Sequence, residues 1–397
     1  VTLANWEGHL LRDKDGEPVR SAQNTTIIMA FHPSLAGDVW WNEMAKAATT
    51  RRGCPWAFVD AEHPYDPSCN IMLAGRIARI LTGKGSIPTG DAFTEAVRAA
   101  AKARPRHPLR DWLHGLVWDG VERMDTWLTV WGGVDDNPYV RAVGRKWLIG
   151  LAGRGASEGR YKMDNVLLIK GQEGLGKTTL AQILGGDYFA SVSLRMDSDD
   201  MVYTLESSWV VELAEMTSVR RSDAESVKAM VTEDGARFRR KYAATAETVH
   251  HHHVFLGTTN EDRPAMASLG VRRWWVVEMV RRIDRDGLRQ NRDQLIAEAM
   301  AAHMSGELPI IPDSMQSLHE STIEANTEDD HWQESVNEFL GTLPDGKAKL
   351  RQIAQGALLR DLDSMTGADV RRMTACLRVA RWQPCTSHGV RWWRKTP

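Results

Sequence analysis

The clearest chemistry in this chain lies in Gly171-Gln172-Glu173-Gly174-Leu175-Gly176-Lys177-Thr178-Thr179, which fits G-x-x-x-x-G-K-[ST] in full. Gly171, Gly174 and Gly176 let the backbone turn tightly, so that successive N–H groups point into one anion-sized hollow. Lys177 is placed to reach the β- and γ-phosphates of a nucleotide, and the Thr178 hydroxyl to ligate Mg²⁺. Thr179 follows at the start of a helix, whose positive end adds to the hollow. The flanks supply what such a loop needs. Val166-Leu167-Leu168-Ile169 reads as a buried strand, and Leu180-Ala181-Gln182-Ile183-Leu184 is apolar at helical spacing.

Other reactive residues fall downstream. Ser208-Trp209-Val210-Val211-Glu212-Leu213-Ala214-Glu215 reads as an apolar strand ending in carboxylates, with Glu212 thirty-five residues beyond Lys177. A carboxylate there holds Mg²⁺, and a second orients the attacking water. The strand Val254-Phe255-Leu256-Gly257 ends in Thr258-Thr259-Asn260, where Asn260 is placed to sense a γ-phosphate. Arg272 and Arg273 precede the strand Trp274-Trp275-Val276-Val277. An arginine there can enter a neighbouring subunit's site and stabilise charge on the transferred phosphoryl group. The rival reading for at least one of the pair is a structural ion pair. No N-K-x-D guanine-reading segment occurs, which argues against a GTPase.

Two stretches suit nucleic acid. Ala236-Arg237-Phe238-Arg239-Arg240-Lys241-Tyr242 packs four cations and two aromatics into seven residues, fit for a hairpin that grips phosphates and stacks on bases. Residues 366–397 hold seven Lys or Arg against one acidic residue. Helices near 348–359 and 367–380, followed by a basic, aromatic hairpin, outline a winged helix-turn-helix module. Arg371, Arg372 and Arg378 would then lie on the recognition helix, and Arg391 and Arg394 on the wing. The rivals are an exposed charged turn and a plain basic tail.

The chain has 397 residues, enough for two or three domains, and a net charge of −2, so polyanion binding must come from local patches. No apolar run reaches the length of a membrane span and no secretory signal pattern opens the chain, which predicts a cytoplasmic protein. Cys54, Cys69, Cys376 and Cys385 form no C-x-x-C pair and are expected as reduced thiols. Sixteen tryptophans are expected mainly in cores.

Before residue 110 no catalytic pattern is visible. Residues 26–30 and 40–45 are expected as buried helix pieces, 50–70 as loop, and 71–81 and 91–103 as packing helices. The basic cluster Lys102, Arg104, Arg106, His107 and Arg110 reads as a solvated helix end. Residues 107–123 predict an amphipathic helix and an Asp-Gly turn. A helix with Trp127 and Leu128, then another over 139–151, would form a lid or collar. Ser222-Asp223-Ala224-Glu225 is a capping box. His250 to His253 alternate faces if extended, a poor geometry for one metal. Residues 313–338 carry eight acidic residues and no Lys or Arg, which predicts a solvated linker.

The segments HPLRDWLHGLVWDGVERMDTWL, KMDNVLLIKGQEGLGKTT, SWVVELAEM and VFLGTTNEDR…GVRRWWVV resemble, in order and spacing, the virulence-associated protein E family over most of residues 20–310. Its members are phage and genomic-island proteins with a P-loop ATPase domain similar to superfamily 3 helicases. The resemblance implies an α/β fold with an AAA+-like core. It implies ATP and Mg²⁺ as ligands, and a ring, expected as a hexamer, acting as an ATP-dependent DNA helicase in replication of a mobile element. Lys177 and Thr178 match Walker A, Glu212 and Glu215 the Walker B region, Asn260 the polar sensor, and Arg272 or Arg273 the arginine finger. Residues 237–242 sit where such proteins carry their DNA hairpin. Single-stranded DNA would pass through the ring and duplex would meet the C-terminal module. Leu213-Ala214 separates two glutamates that superfamily 3 proteins usually place side by side. The expected division is a mainly helical region 1–110, an ATPase domain with collar 111–310, an acidic linker 311–335, and a winged-helix-like module 336–397. The rival function is a DNA-binding regulator that uses nucleotide as an assembly switch.

Overall fold

A computed structural model describes residues 3–51, 63–193, 196, 198–214, 230–231, 235–238, 247–261, 273–326, 331–344, 346–387 and 390–395. They form two units, Val1–Asn326 and Thr327–Pro397. Among the described residues no helix is long and apolar enough to cross a membrane.

The first unit begins with α1 (Ala22–Phe31), β1 (Val39–Asn42), β2 (Ala47–Thr50), β3 (His63–Pro64), α2 (Asn70–Ala78), α3 (Gly90–Lys102) and β4 (Pro105–Arg106). The strands make one sheet in the order β3-β2-β1-β4. Helices still make up most of this region, and the small sheet joins them. Residues 40–45 are not helix: Val39-Trp40-Trp41 pairs antiparallel with β2, Trp41 opposite Ala48. Aromatic and β-branched residues favour this pleated surface, and Trp40 points into the core while Trp41 stays half-buried. Ile28, Leu73, Ile77, Phe93 and Val97 fill the space beneath. Cys69 is buried and disulfide-bonded, against the expected thiol, whereas Cys376 and Cys385 form no disulfide, as expected.

The chain continues through α4 (Pro108–Gly115), α5 (Trp127–Val130), α6 (Pro138–Ala156), β5 (Val166–Lys170), α7 (Lys177–Gly185), β6 (Phe189–Val192), α8 (Ser198–Glu206), β7 (Val210–Leu213), β8 (Gly235–Phe238), β9 (Glu247–His250), β10 (Val254–Thr259), β11 (Trp274–Glu278), α9 (Arg285–Met304) and α10 (Gln316–Asn326). Five of these strands form a parallel sheet in the order β11-β5-β10-β7-β6. Its strands read as continuous apolar runs because both faces are covered. Leu167, Ile169, Leu256, Trp275 and Val277 pack on one face, and Val166, Leu168, Phe255, Trp274 and Val276 on the other.

Helix α6 is not the lid its position suggested. It lies in the core, with Val143, Trp147, Leu148 and Leu151 fully buried. Three of its side-chain contacts end on backbone carbonyls. Trp147 Nε1 donates to Phe255 O at 3.0 Å, while Arg154 donates to His253 O at 3.3 Å and to Met163 O at 3.0 Å. In return its own Leu151 carbonyl accepts Trp209 Nε1 at 2.9 Å. Glycines make the approach possible. A Cβ on Gly150 would sit 2.5 Å from Met163 Sδ, one on Gly155 2.6 Å from Leu113 Cδ1, and one on Gly153 inside the Tyr161 ring.

The acidic stretch is also corrected. Much of it is helical: α10 packs against β11, and buried His319 stacks on Tyr139 with ring centroids 5.9 Å apart. The second unit follows as α11 (His331–Gly341), β12 (Lys347–Ala348), α12 (Leu350–Leu358), α13 (Gly367–Val379), β13 (Trp382–Ser387) and β14 (Val390–Lys395), with sheet order β12-β14-β13. Val336, Ile353, Met373, Leu377, Trp382 and Trp393 form its core. Thr366 and Asp369 cap α13 reciprocally.

Candidate active site

The loop at the carboxyl end of β5 owes its shape to its glycines. Gly171, Gly174 and Gly176 take φ of 149°, 83° and 102°, a region costly for residues with a Cβ. At Gly171 a Cβ would meet Met279 O at 2.5 Å, at Gly176 it would collide with Ile283, and at Gly174 it would meet nothing within 4 Å. Gly171 N–H donates to Thr259 O at 3.2 Å, tying the loop to β10. Helix α7 then starts at Lys177 with Gly176 as its N-cap.

Lys177 is the centre of the loop. Its Nζ donates to Gly171 O at 2.6 Å, Gln172 O at 2.9 Å and Asn260 Oδ1 at 2.7 Å. Those three acceptors match the three protons of an ammonium. Burial lowers its pKa, opposed by the nearby Glu173 and Glu212 carboxylates.

Because β10 lies between β5 and β7, three strand ends converge. Glu212 on β7 is buried and pairs in register with Leu256 of β10. Its Oε1 accepts the Thr178 hydroxyl at 2.6 Å and the Thr258 hydroxyl at 2.9 Å. A cleft of about 530 Å³ opens over these groups, lined also by Glu173, Gly174, Gly176, Thr179, Asn260 and Arg285. The donor set suits a polyphosphate with a hard cation: a loop with room for an anion, an ammonium, and a hydroxyl paired with a carboxylate.

Gly171, Gly174, Gly176, Lys177, Thr178, Thr179, Glu212 and Asn260 therefore meet in one place. Arg273 does not join them. It precedes Trp274, which pairs with Val166 at the start of β5, so it lies roughly 16 Å along the strand direction from the loop. Glu215, Arg272, Arg239, Arg240, Lys241 and the capping box at 222–225 lie outside the described residues. Arg237 stands in β8, opposite Thr248 of β9, in an antiparallel hairpin. In the second unit Arg371 stands on α13 and Arg391 on β14 opposite Thr386, while Arg372 lies 4.4 Å over the Trp332 ring of α11.

Sequence reasoning missed two residues. Thr258 carries no motif of its own, and its role appears only once β10 is seated beside β7. Arg285 lines the cleft from the start of α9, and only its place after the N-cap Asp284 hinted at a helix end. Among the described residues no His, Cys, Asp and Glu group could hold a metal ion on its own. His252 and His253 are buried, and burial pushes both pKa values down, His252 to about 3.

The model of the virulence-associated protein E-like domain matches residues 113–329, just over half of the chain. Two solved structures of the apo A form of the NrS-1 C-terminal region are similar at TM-scores of 0.46 and 0.43. Each is 12% identical, and each match covers 90% of this chain and 96% of the other. No curated protein matches.

Proposed function

The chain belongs to the virulence-associated protein E-like family, and on that premise we propose that it is an ATP-hydrolysing motor that acts on DNA in replication of a phage or mobile element. One observation carries the reading: Lys177 bonded to Asn260, and Thr178 and Thr258 both bonded to Glu212, line a single cleft at the glycine loop. Mg²⁺, when bound, supplies the positive charge that offsets the phosphate oxygens. Thr178 and Glu212 would hold it, with Thr258 fixing the carboxylate. Lys177 exchanges its loop carbonyls for phosphate oxygens, and Asn260, already bonded to Lys177, registers that exchange. Arg285 faces the same cleft from the same chain. Arg273 is too far from its own loop to serve it. An arginine finger from the 272–273 pair would therefore come from a neighbouring copy, in a ring expected as a hexamer.

The β8–β9 hairpin, with Arg237 and the cations 239–241, is proposed to grip single-stranded DNA. The order helix, strand, two helices, two strands in the second unit supports a winged-helix reading in which Arg371 and Arg391 meet duplex DNA. The test is phosphate release with and without single-stranded DNA, for the parent and Lys177→Ala. The motor predicts stimulation by DNA and loss of at least a hundredfold in the variant. Hydrolysis indifferent to DNA, with duplex binding intact, would instead identify a nucleotide-switched regulator.

A further inference from the structure

The basic cluster at 102–110 takes no part in the cleft described above, and its members divide on inspection. Arg104 donates to the Ala30 carbonyl at 3.0 Å. Arg110 donates to the Ser157 carbonyl at 3.1 Å and lies 3.7 Å from Glu158. Those two hold the fold together. Lys102 does something else: it is exposed, and its Nζ stands 5.2 Å from the centroid of the Trp41 ring.

Lys102 and Trp41 border a second cleft of about 530 Å³ between the β1–β3 strands and α3. Tyr65, Lys46 and Arg98 line it as well, with Ala48, Pro64 and Ala99 between them. Three cations face one carboxylate there, Glu95, which is 2.7 Å from Arg98 with both side chains more than half exposed. Lys46 is 3.4 Å from Glu206. The lining is therefore net positive and carries two aromatic rings.

The Trp41 ring presents a face at the rim of the cleft under Lys102, and a base can take that face when the ammonium turns to the neighbouring phosphate. Bases stack on such faces when they are unpaired, and the cations at the rim then meet the phosphates. A duplex offers no free base face to Trp41. We propose that this cleft holds a segment of single-stranded DNA, with a base on Trp41 or Tyr65 and phosphates on Arg98 and Lys102. The site is remote from the glycine loop in sequence and shares no residue with its cleft, so it stands or falls apart from the ATPase reading.

The experiment irradiates the full chain, without nucleotide, bound to an oligodeoxythymidine substituted with bromodeoxyuridine, and maps the adducts by mass spectrometry. Adducts are expected on Trp41 or Tyr65. The double charge reversal Arg98→Glu with Lys102→Glu, both exposed positions, should cut their yield about tenfold. It should also flatten the log–log salt dependence of that adduct by about 1.4, two single-strand phosphate contacts at about 0.7 each. Adducts confined to other peptides would overturn the proposal. So would an adduct at Trp41 that survives the charge reversal unchanged, since Lys102 would then only shield the indole from water.

Discussion

Thr258→Val tests whether the Glu212 carboxylate works because it is aimed. Valine keeps the shape of threonine and removes only the hydroxyl that donates to Glu212 Oε1 at 2.9 Å. Both partners are buried, Thr258 at 7% and Glu212 at 2% exposure, so water does not replace the lost donor. A hydrogen bond to a charged acceptor contributes about 1.5–3 kcal/mol. At roughly 1.4 kcal/mol per decade that is a ten- to hundredfold effect. Thr178 still donates to the same oxygen at 2.6 Å, so the carboxylate keeps one anchor and the lower part of that range is expected. The assay is steady-state phosphate release titrated with Mg²⁺, in which half-maximal activity should need about tenfold more metal. Thr259→Val is the control, because its hydroxyl oxygen accepts the Glu261 N–H at 3.1 Å, a contact separate from Glu212. If the two variants behave alike, the aiming role of Thr258 is wrong.

Two further predictions concern the scaffold. Gly153→Ala drives a methyl into the Tyr161 ring and should cost about 1–3 kcal/mol by overpacking, seen as a lower Tm. Gly159→Ala, with nothing within 4 Å of its Cβ, should melt like the parent, and equal losses in both would refute the packing argument. Acid should also unfold the protein early. Burial lowers the pKa of His107 from 6.5 to about 4 and that of His252 to about 3, so both are neutral in the fold. Below pH 6.5 the unfolded chain binds more protons, so the stability present above 6.5 is lost as pH falls toward 4. Each histidine adds a slope approaching about 1.4 kcal/mol per pH unit. Urea midpoints measured across that window should fall, and fall less in His252→Gln; a flat parent curve would refute the assignment.

What could be read from the sequence was local. The glycine loop, β5 and α7 are neighbours along the chain, and their φ demands and periodicity are written in consecutive residues. Glu212 and Asn260 were recognisable because each ends an apolar run. The order of strands was not written anywhere local, and it alone makes Thr258 a partner of Glu212 and sets Arg273 at the far edge of the sheet. Charge density misled at 313–338, where carboxylates on the outside of α10 and α11 read as a linker although His319 and Val336 are buried beneath. Tryptophan misled at 40–41, since an aromatic pair suits a buried helix and a strand equally until its partner strand is known.

The glycines of α6 have a consequence for how this chain can change over generations. Gly150 and Gly153 each lie under one large partner, Met163 and Tyr161, and Gly155 lies under two, Leu113 and Trp209. None of the three can gain a side chain while its partners stay, and none of the partners can shrink without opening a hole beside the helix. Each set is inherited as a unit. Among descendants, substitutions at 150 and 153 should therefore appear together with compensating ones at 163 and 161, and a substitution at 155 with changes at both 113 and 209.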